Sequence, residues 1–198
     1  MSILAQMSDE STTESDRRVR VLDAALAVFA RYGFRKTSME EVARAADISR
    51  QGLYLHFRDK EALFRAAIAR MMETGLARVD AELAREAPLG TRLYGAMLAW
   101  HGRSSGTAPE HLDDLFERSV ALLRDLMERS GDDVLERLAA AIAAAPLSSR
   151  LLDQGLTPLD AARTLDACGQ GLKHEKLSRD DFKRRLAAAV SLVTGERL

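Results

Sequence analysis

A single cysteine, Cys168, occurs in 198 residues. No intrachain disulfide can form and no cysteine-based metal site can be built, which fits a reducing cytosol and a cytoplasmic protein. Long apolar runs are missing too. No stretch reaches the roughly 18 residues that a membrane-crossing helix needs, so no membrane association is expected. The opening segment MSILAQMSDESTTESD has neither a basic n-region nor a long apolar run, so a signal peptide is not expected. Catalytic signatures are also lacking: the chain has no HExxH, no GxSxG elbow, no P-loop and no GxGxxG. His101 and His111 are ten residues apart across a Gly/Ser loop, and His174-Glu175 stands alone, so no metal-ligand spacing results. An enzyme is not expected, nor a metal or cofactor.

Net charge is nearly absent, at −1, but its distribution is uneven. Residues 1–16 carry Asp9, Glu10, Glu14 and Asp16 and no Lys or Arg. Residues 17–65 hold eleven Lys/Arg against six Asp/Glu, a balance of +5, and residues 66–198 balance to −2. A basic block inside a near-neutral chain is expected where one module meets a polyanion. A solvated charged face gives the same count. The Ser-, Thr-, Asp- and Glu-rich residues 1–16 read as a disordered tail.

Sustained period-2 alternation is missing as well, so strands are not expected. Good helix formers dominate, and the fold class read from them is all-α. A first helix starts near Arg17, with Val19, Leu22, Leu26 and Phe29 on one stripe beside Ala25. Gly33 ends it and Phe34 follows as an apolar clasp. Ser38 with Glu41 makes a capping box for a short helix whose inner face carries Met39, Val42, Ala43 and Ala46. Asp47 stands at a break that wants left-handed backbone, and Ile48 is an apolar plug. Ser49 caps another short helix to about Leu55, and Asp59 caps a long one with Leu63, Phe64, Ala67, Ile68 and Met71 inward. Further on, helices are expected at 88–101, around Phe116 to Met127, at 134–145 after a break at Gly131-Asp132, from Thr157-Pro158 to about Lys173, and from Ser178 onward. Residues 146–155 read as a loop.

Two short helices joined by a tight turn behind a third make a helix-turn-helix. The second begins in SRQGLYLHFRDK, residues 49–60. It places Arg50, Gln51 and Gly52 on its N-terminal edge, with Leu53 and Phe57 packing inward. Such an edge is what enters a major groove. Arg can hold guanine O6/N7 and Gln adenine N6/N7. Gly52 lets the backbone approach. Tyr54 and His56 suit phosphate oxygens, as does Lys60 at a helix N-terminus, with Ser49, Thr37 and Ser38 as further contacts. Ser38, Ser49 and Asp59 are equally explained as caps alone.

The stretches Thr37-Ser38-Met39-Glu40-Glu41-Val42-Ala43, Ala46-Asp47-Ile48-Ser49, Leu53-Tyr54-Leu55-His56-Phe57 and Lys60-Glu61 resemble the DNA-binding segment of the tetracycline-repressor (TetR-like) regulators. The resemblance covers about residues 17–65, and Ala27-Val28-Phe29 to Gly33-Phe34 fits it. It departs where the family often has Gly at the positions of Asp47 and Gln51 and a small polar residue at that of Gly52, so no operator is carried over. It implies a DNA-binding domain at 17–65 and, at 66–198, a helical domain that binds a small effector and dimerises through its last two helices, here about 158–173 and 179–193. Ala161, Leu165, Cys168 and Leu172 form a stripe on the first of these, and Gly169 and Gly171 allow close helix approach; packing within one protomer is the alternative.

Candidate effector contacts are Tyr94, Met97, Trp100, His101, Phe116, Val120 and Met127, which are bulky, soft or polar-tipped. Core packing accounts for the same spacing. No Lys/Arg cluster in this half points to an anion, so the effector is expected to be apolar or amphipathic. The implied function is a ligand-responsive dimeric repressor on a near-palindromic operator. A transcriptional activator or a helical protein-interaction module on the same fold are the alternatives.

Overall fold

A computed structural model of the chain describes residues 3–102, 120–175 and 177–198. Every regular element among the described residues is an α-helix, as composition and periodicity predict. In chain order these are α1 (Ile3–Lys36), α2 (Met39–Ala45), α3 (Arg50–His56), α4 (Lys60–Leu83), α5 (Leu89–His101), α6 (Val120–Ala143), α7 (Leu147–Leu152), α8 (Pro158–His174) and α9 (Arg179–Thr194). They fall into two compact units, one of residues 3–71 with 120–123, the other of 72–102, 124–175 and 177–198. The division lies between Met71 and Met72, inside α4, and not at the 65/66 boundary read from the sequence. A continuous helix offers no punctuation that would mark it.

In the first unit, α1 begins at Ile3, so the segment expected to be a disordered tail is helical from that residue. Residues 3–16 contain neither Gly nor Pro; polar composition reports on burial and does not itself break a helix. Helical geometry fails at Gly33, with φ 78° and ψ 158°, where a residue without Cβ is required. The buried residues of α1 are Val21, Leu22, Ala25, Val28, Phe29 and Ala30, while Val19 and Leu26 are half-buried. The stripe is wider than expected because α1 packs on α2 and also meets α4 through Phe29. Phe29 stands edge-on to Phe64 at 5.0 Å between centroids, and Phe34 lies 5.0 Å from the same ring. Burying aromatic rings of this kind stabilises by roughly 1.5–3 kcal/mol each.

The short helices are defined by their ends. Ser38 Oγ accepts from Glu41 N at 3.2 Å and Glu41 Oε2 accepts from Ser38 N at 2.7 Å, the expected capping box. The bond from Ser38 N, and after it a bond of 2.9 Å that Ser38 Oγ donates to the same Oε2, hold the Glu41 carboxyl below its ordinary pKa. Asp47 takes φ 54°, and Ile48 N donates to Ala43 O at 3.0 Å, closing the turn. Ser49 Oγ accepts from Gly52 N at 2.9 Å. Asp59 Oδ1 accepts from Ala62 N at 2.7 Å and starts α4.

In the second unit, α5, α8 and α9 pack pairwise. Leu93, Met97, Leu138, Leu165, Phe182 and Leu186 are fully buried in its core. Two expectations fail here. α6 passes through Gly131 without a break: a glycine inside a helix costs about 1 kcal/mol relative to Ala, which the burial of Val134, Leu138 and Ile142 on the same helix outweighs. The expected loop at 146–155 contains α7, because Leu147 and Leu151, one turn apart, are both buried. Thr157, ahead of Pro158, and Ser178 cap α8 and α9 as read from the sequence; the structure adds that Thr157 forms a capping box with Asp160 and that Ser178 Oγ accepts from Asp181 N.

Candidate nucleic-acid interface

α2, the turn at Asp47 and α3 place one polar edge outward. Leu53 and Phe57 are buried, at 0% and 4% exposure. They anchor α3 so that Ser49, Arg50, Gln51 and Tyr54 face solvent, with Gly52, His56 and Lys60 partly exposed. The Arg50 guanidinium lies 5.7 Å from the centre of the Tyr54 ring, one turn along the same face. Beneath this edge, Arg18 lies 4.8 Å over the Phe57 ring and ties α1 to the end of α3. The geometry is that of a helix held by its inner face with an Arg and a Gln offered at its N-terminal end.

Two sequence-predicted contacts are placed differently. Thr37 is buried, and its hydroxyl donates to Gly33 O at 2.9 Å. It satisfies a carbonyl left open where α1 breaks, so its side chain is not offered to a phosphate. The Lys60 ammonium donates to Phe34 O and Thr37 O at 2.9 Å each and reaches Arg35 O at 3.5 Å. An ammonium has three N–H donors, and here three carbonyls face them. Ser38 and Ser49 are exposed but act as caps.

One residue of this edge received no contact role from the sequence. Leu55 is 82% exposed, two residues from both buried anchors of α3. A residue two positions from an inward one on a helix points away from it, and that spacing was the available signal.

The expected effector contacts separate in the second unit. Met97 is buried in the core, Tyr94 and Trp100 pack against it half-buried, and Met127 lies exposed on α6. Phe116 lies outside the described residues, as does the side chain of Val120. His101 is 1% exposed, and its Nε2 lies 2.9 Å from Asp166 Oδ1. Asp166 was not picked out in the sequence. Burial pushes the His101 pKa down, against the Asp166 hydrogen bond that raises it. For Asp166 burial acts upward, but the bonds from His101 and Gln170 bring its pKa below the ordinary value. Among the described residues no cluster of His, Cys, Asp and Glu could hold a metal ion, and no helix is long and apolar enough to cross a membrane.

The stripes assigned to a dimer face are core in the single chain. Ala161, Leu165, Phe182, Leu186 and Val190 are buried, Cys168 is exposed and Leu172 is half-buried. Gly169 admits the His101 ring: a Cβ there would collide with His101 Cδ2. Gly171 has nothing within 4 Å of such a Cβ. The outward faces carry Cys168 and Gly171 on α8 and Leu192, 86% exposed, on α9.

A helix-turn-helix with an Arg/Gln edge, followed by a separate helical unit, is the arrangement of a DNA-binding transcriptional regulator. Residues 21–67 match the family of bacterial regulatory proteins, tetR family. The chain is 34% identical over 189 residues to the transcriptional repressor Rv1474c of Mycobacterium tuberculosis, covering 89% of this chain and 90% of that one. It is 38% identical over 76 residues to the transcriptional regulator YfiR of Bacillus subtilis, a match spanning only 37% of each chain. A TetR-family transcriptional regulator from Rhodococcus sp. has the same fold, with a TM-score of 0.71 at 24% identity over 91% of this chain and 99% of that one. The protein belongs to the TetR family of transcriptional regulators.

Proposed function

We propose that the chain is a homodimeric repressor that binds a near-palindromic operator and leaves it when a small apolar or amphipathic effector binds the helical unit. The observation that carries the reading is the exposed Arg50–Gln51 edge on a helix whose opposite face, Leu53 and Phe57, is buried. Arg50 and Gln51 read base edges, and Ser38, Ser49, Tyr54 and His56 position the helix on the phosphates. Leu55 adds an apolar surface suited to a thymine methyl. Two such helices, one per protomer, would stand roughly 34–36 Å apart to meet successive major grooves.

Because the apolar stripes of α8 and α9 are used within the protomer, the dimer joins through their outer faces, with Gly171 and Cys168 on α8 and Leu192 on α9. Such a dimer is isologous, each patch meeting its own copy. The effector contacts Tyr94, Trp100 and His101 on α5, with Met97 behind them. It favours a state with poorer operator affinity, by a coupling of typically 1–3 kcal/mol. The protein would act in the cytoplasm, with its DNA.

The test is fluorescence anisotropy of the purified protein on DNA from upstream of its own gene, alongside its mass in solution. A dimer that prefers this DNA over a scrambled fragment, and is displaced by some members of a small-molecule panel, is the expected result. A monomer, or DNA binding that no compound weakens, would contradict the reading in its respective part.

A further inference from the structure

His101 carries more than a core role. Its Nδ1 is buried and has no hydrogen-bond partner, and it is the one such side-chain polar atom found among the described residues. An unmet buried polar atom is costly to a fold. Nε2 lies 2.9 Å from Asp166 Oδ1. A carboxylate only accepts, so Nε2 carries the proton and Nδ1 presents a lone pair. Gln170 Nε2 donates to Asp166 Oδ2 at 2.6 Å and holds the carboxylate from its far side. Gly169 sits against the ring edge, where any side chain would collide with it. The neighbouring residues on α5 are apolar: Met97, one turn earlier, is buried, and the ring of Trp100, the preceding residue, lies against Gly75, 3.2 Å from where a Cβ would stand.

We infer that His101 Nδ1 is the polar anchor of the effector site, and that the effector class is a neutral, largely apolar small molecule carrying one hydrogen-bond donor, a hydroxyl or N–H. The inference rests on the effector reading above and narrows it. Burial holds the imidazole neutral, which keeps the lone pair available and disfavours a cationic ring that would select anions. A site built around one unpaired acceptor discriminates strongly against an analogue that cannot donate to it.

The test uses matched probes on the full chain: phenol against anisole, and 1-naphthol against 1-methoxynaphthalene. Each pair differs in the hydrogen that can be donated. Binding is followed by thermal shift and by the side-chain nitrogen resonances of 15N-histidine-labelled protein, with His101 assigned by comparison with His101→Gln. That variant places an amide N–H where Nε2 stood, keeps a donor for Asp166, and has no counterpart of Nδ1. The expected result is that the hydroxylated probes move the His101 Nδ1 resonance and bind at least tenfold tighter than their methyl ethers, and that His101→Gln loses at least tenfold for the hydroxylated probes while melting cooperatively. Equal binding of both members of each pair, or no binding of any hydroxylated probe, overturns the inference, and neither result depends on the variant. If hydroxylated probes bind through His101 yet leave operator affinity unchanged, the anchor stands and the effector reading above fails.

Discussion

Lys60 and Phe34 meet twice: the Lys60 ammonium donates to the Phe34 carbonyl at 2.9 Å, and its Nζ stands 4.6 Å over the centre of the Phe34 ring. With the Thr37 carbonyl also at 2.9 Å, this cation closes the open end of α1 from the first turn of α4. A basic residue at that place in the sequence invites a phosphate, yet its donors are directed into the protein. Lys60 therefore fastens the first turn of α4 to the segment between α1 and α2.

Lys60→Met is expected to lower stability by about 1.5–3 kcal/mol, the range for hydrogen bonds to a charged group, measured by urea titration. The dependence of DNA affinity on salt separates the two roles. A lysine on a phosphate contributes about 0.9 to the slope of log K against log[salt]. The slope for Lys60→Met should equal that of the wild type even where affinity drops, and a slope shallower by that amount per half-site would return Lys60 to the phosphate.

Asp47 holds φ 54°, a left-handed conformation that costs most L-residues about 1–2 kcal/mol and Asp somewhat less. Asp47→Gly relieves this while adding freedom to the unfolded chain, so a gain of no more than about 1 kcal/mol is expected. Asp47→Val, β-branched at the same φ, should lose about 1–2 kcal/mol. Denaturation of both variants checks the sign. Equal stability of the two would mean that the turn relaxes away from this backbone geometry.

The buried His101 gives stability a defined pH dependence. Its pKa in the folded state lies below the ordinary 6.5, mainly through burial and secondarily through the Lys173 charge, with Asp166 opposing. The unfolded chain therefore binds the extra proton first. The contribution of the neutral ring is fully present above 6.5 and is lost as pH falls from there towards the lower folded-state value. Asp166, also lowered, adds a second loss that begins only below its ordinary 3.8. Thermal melts between neutral pH and about pH 4.5 should decline for the wild type and flatten for His101→Gln across the first window. Identical curves would place the titration elsewhere.

The first unit was legible because its signals are local. Ser38 with Glu41, Ser49, Asp59 and the break at Asp47 each act within three or four residues, and the structure realises all of them. The inward set Leu53, Leu63 and Phe64 also followed from helical spacing. What the sequence hid was where side chains end up across long separations. Lys60 reaches Phe34 over 26 residues, and His101 meets Asp166 over 65. Neither carries a periodic mark. The stripes of α8 and α9 were visible as stripes, but an apolar stripe has the same spacing whether it meets its own chain or another copy. Gly169 shows the same limit: the need for a small residue was apparent, while the ring that requires it, His101, comes from another helix. Gly131 is the converse, a residue that commonly punctuates helices and here sits inside one whose buried face holds it together.

The central claim is that the N-terminal edge of α3 reads sequence. The most direct measurement compares the wild type with Arg50→Ala/Gln51→Ala on DNA from upstream of the gene and on a scrambled fragment, at two salt concentrations. The account predicts that the wild type prefers its own DNA and that the double variant, folded to the same stability, keeps only weak, salt-sensitive binding that no longer distinguishes the two fragments. A double variant that retains the wild-type preference would contradict the assignment of base reading to Arg50 and Gln51.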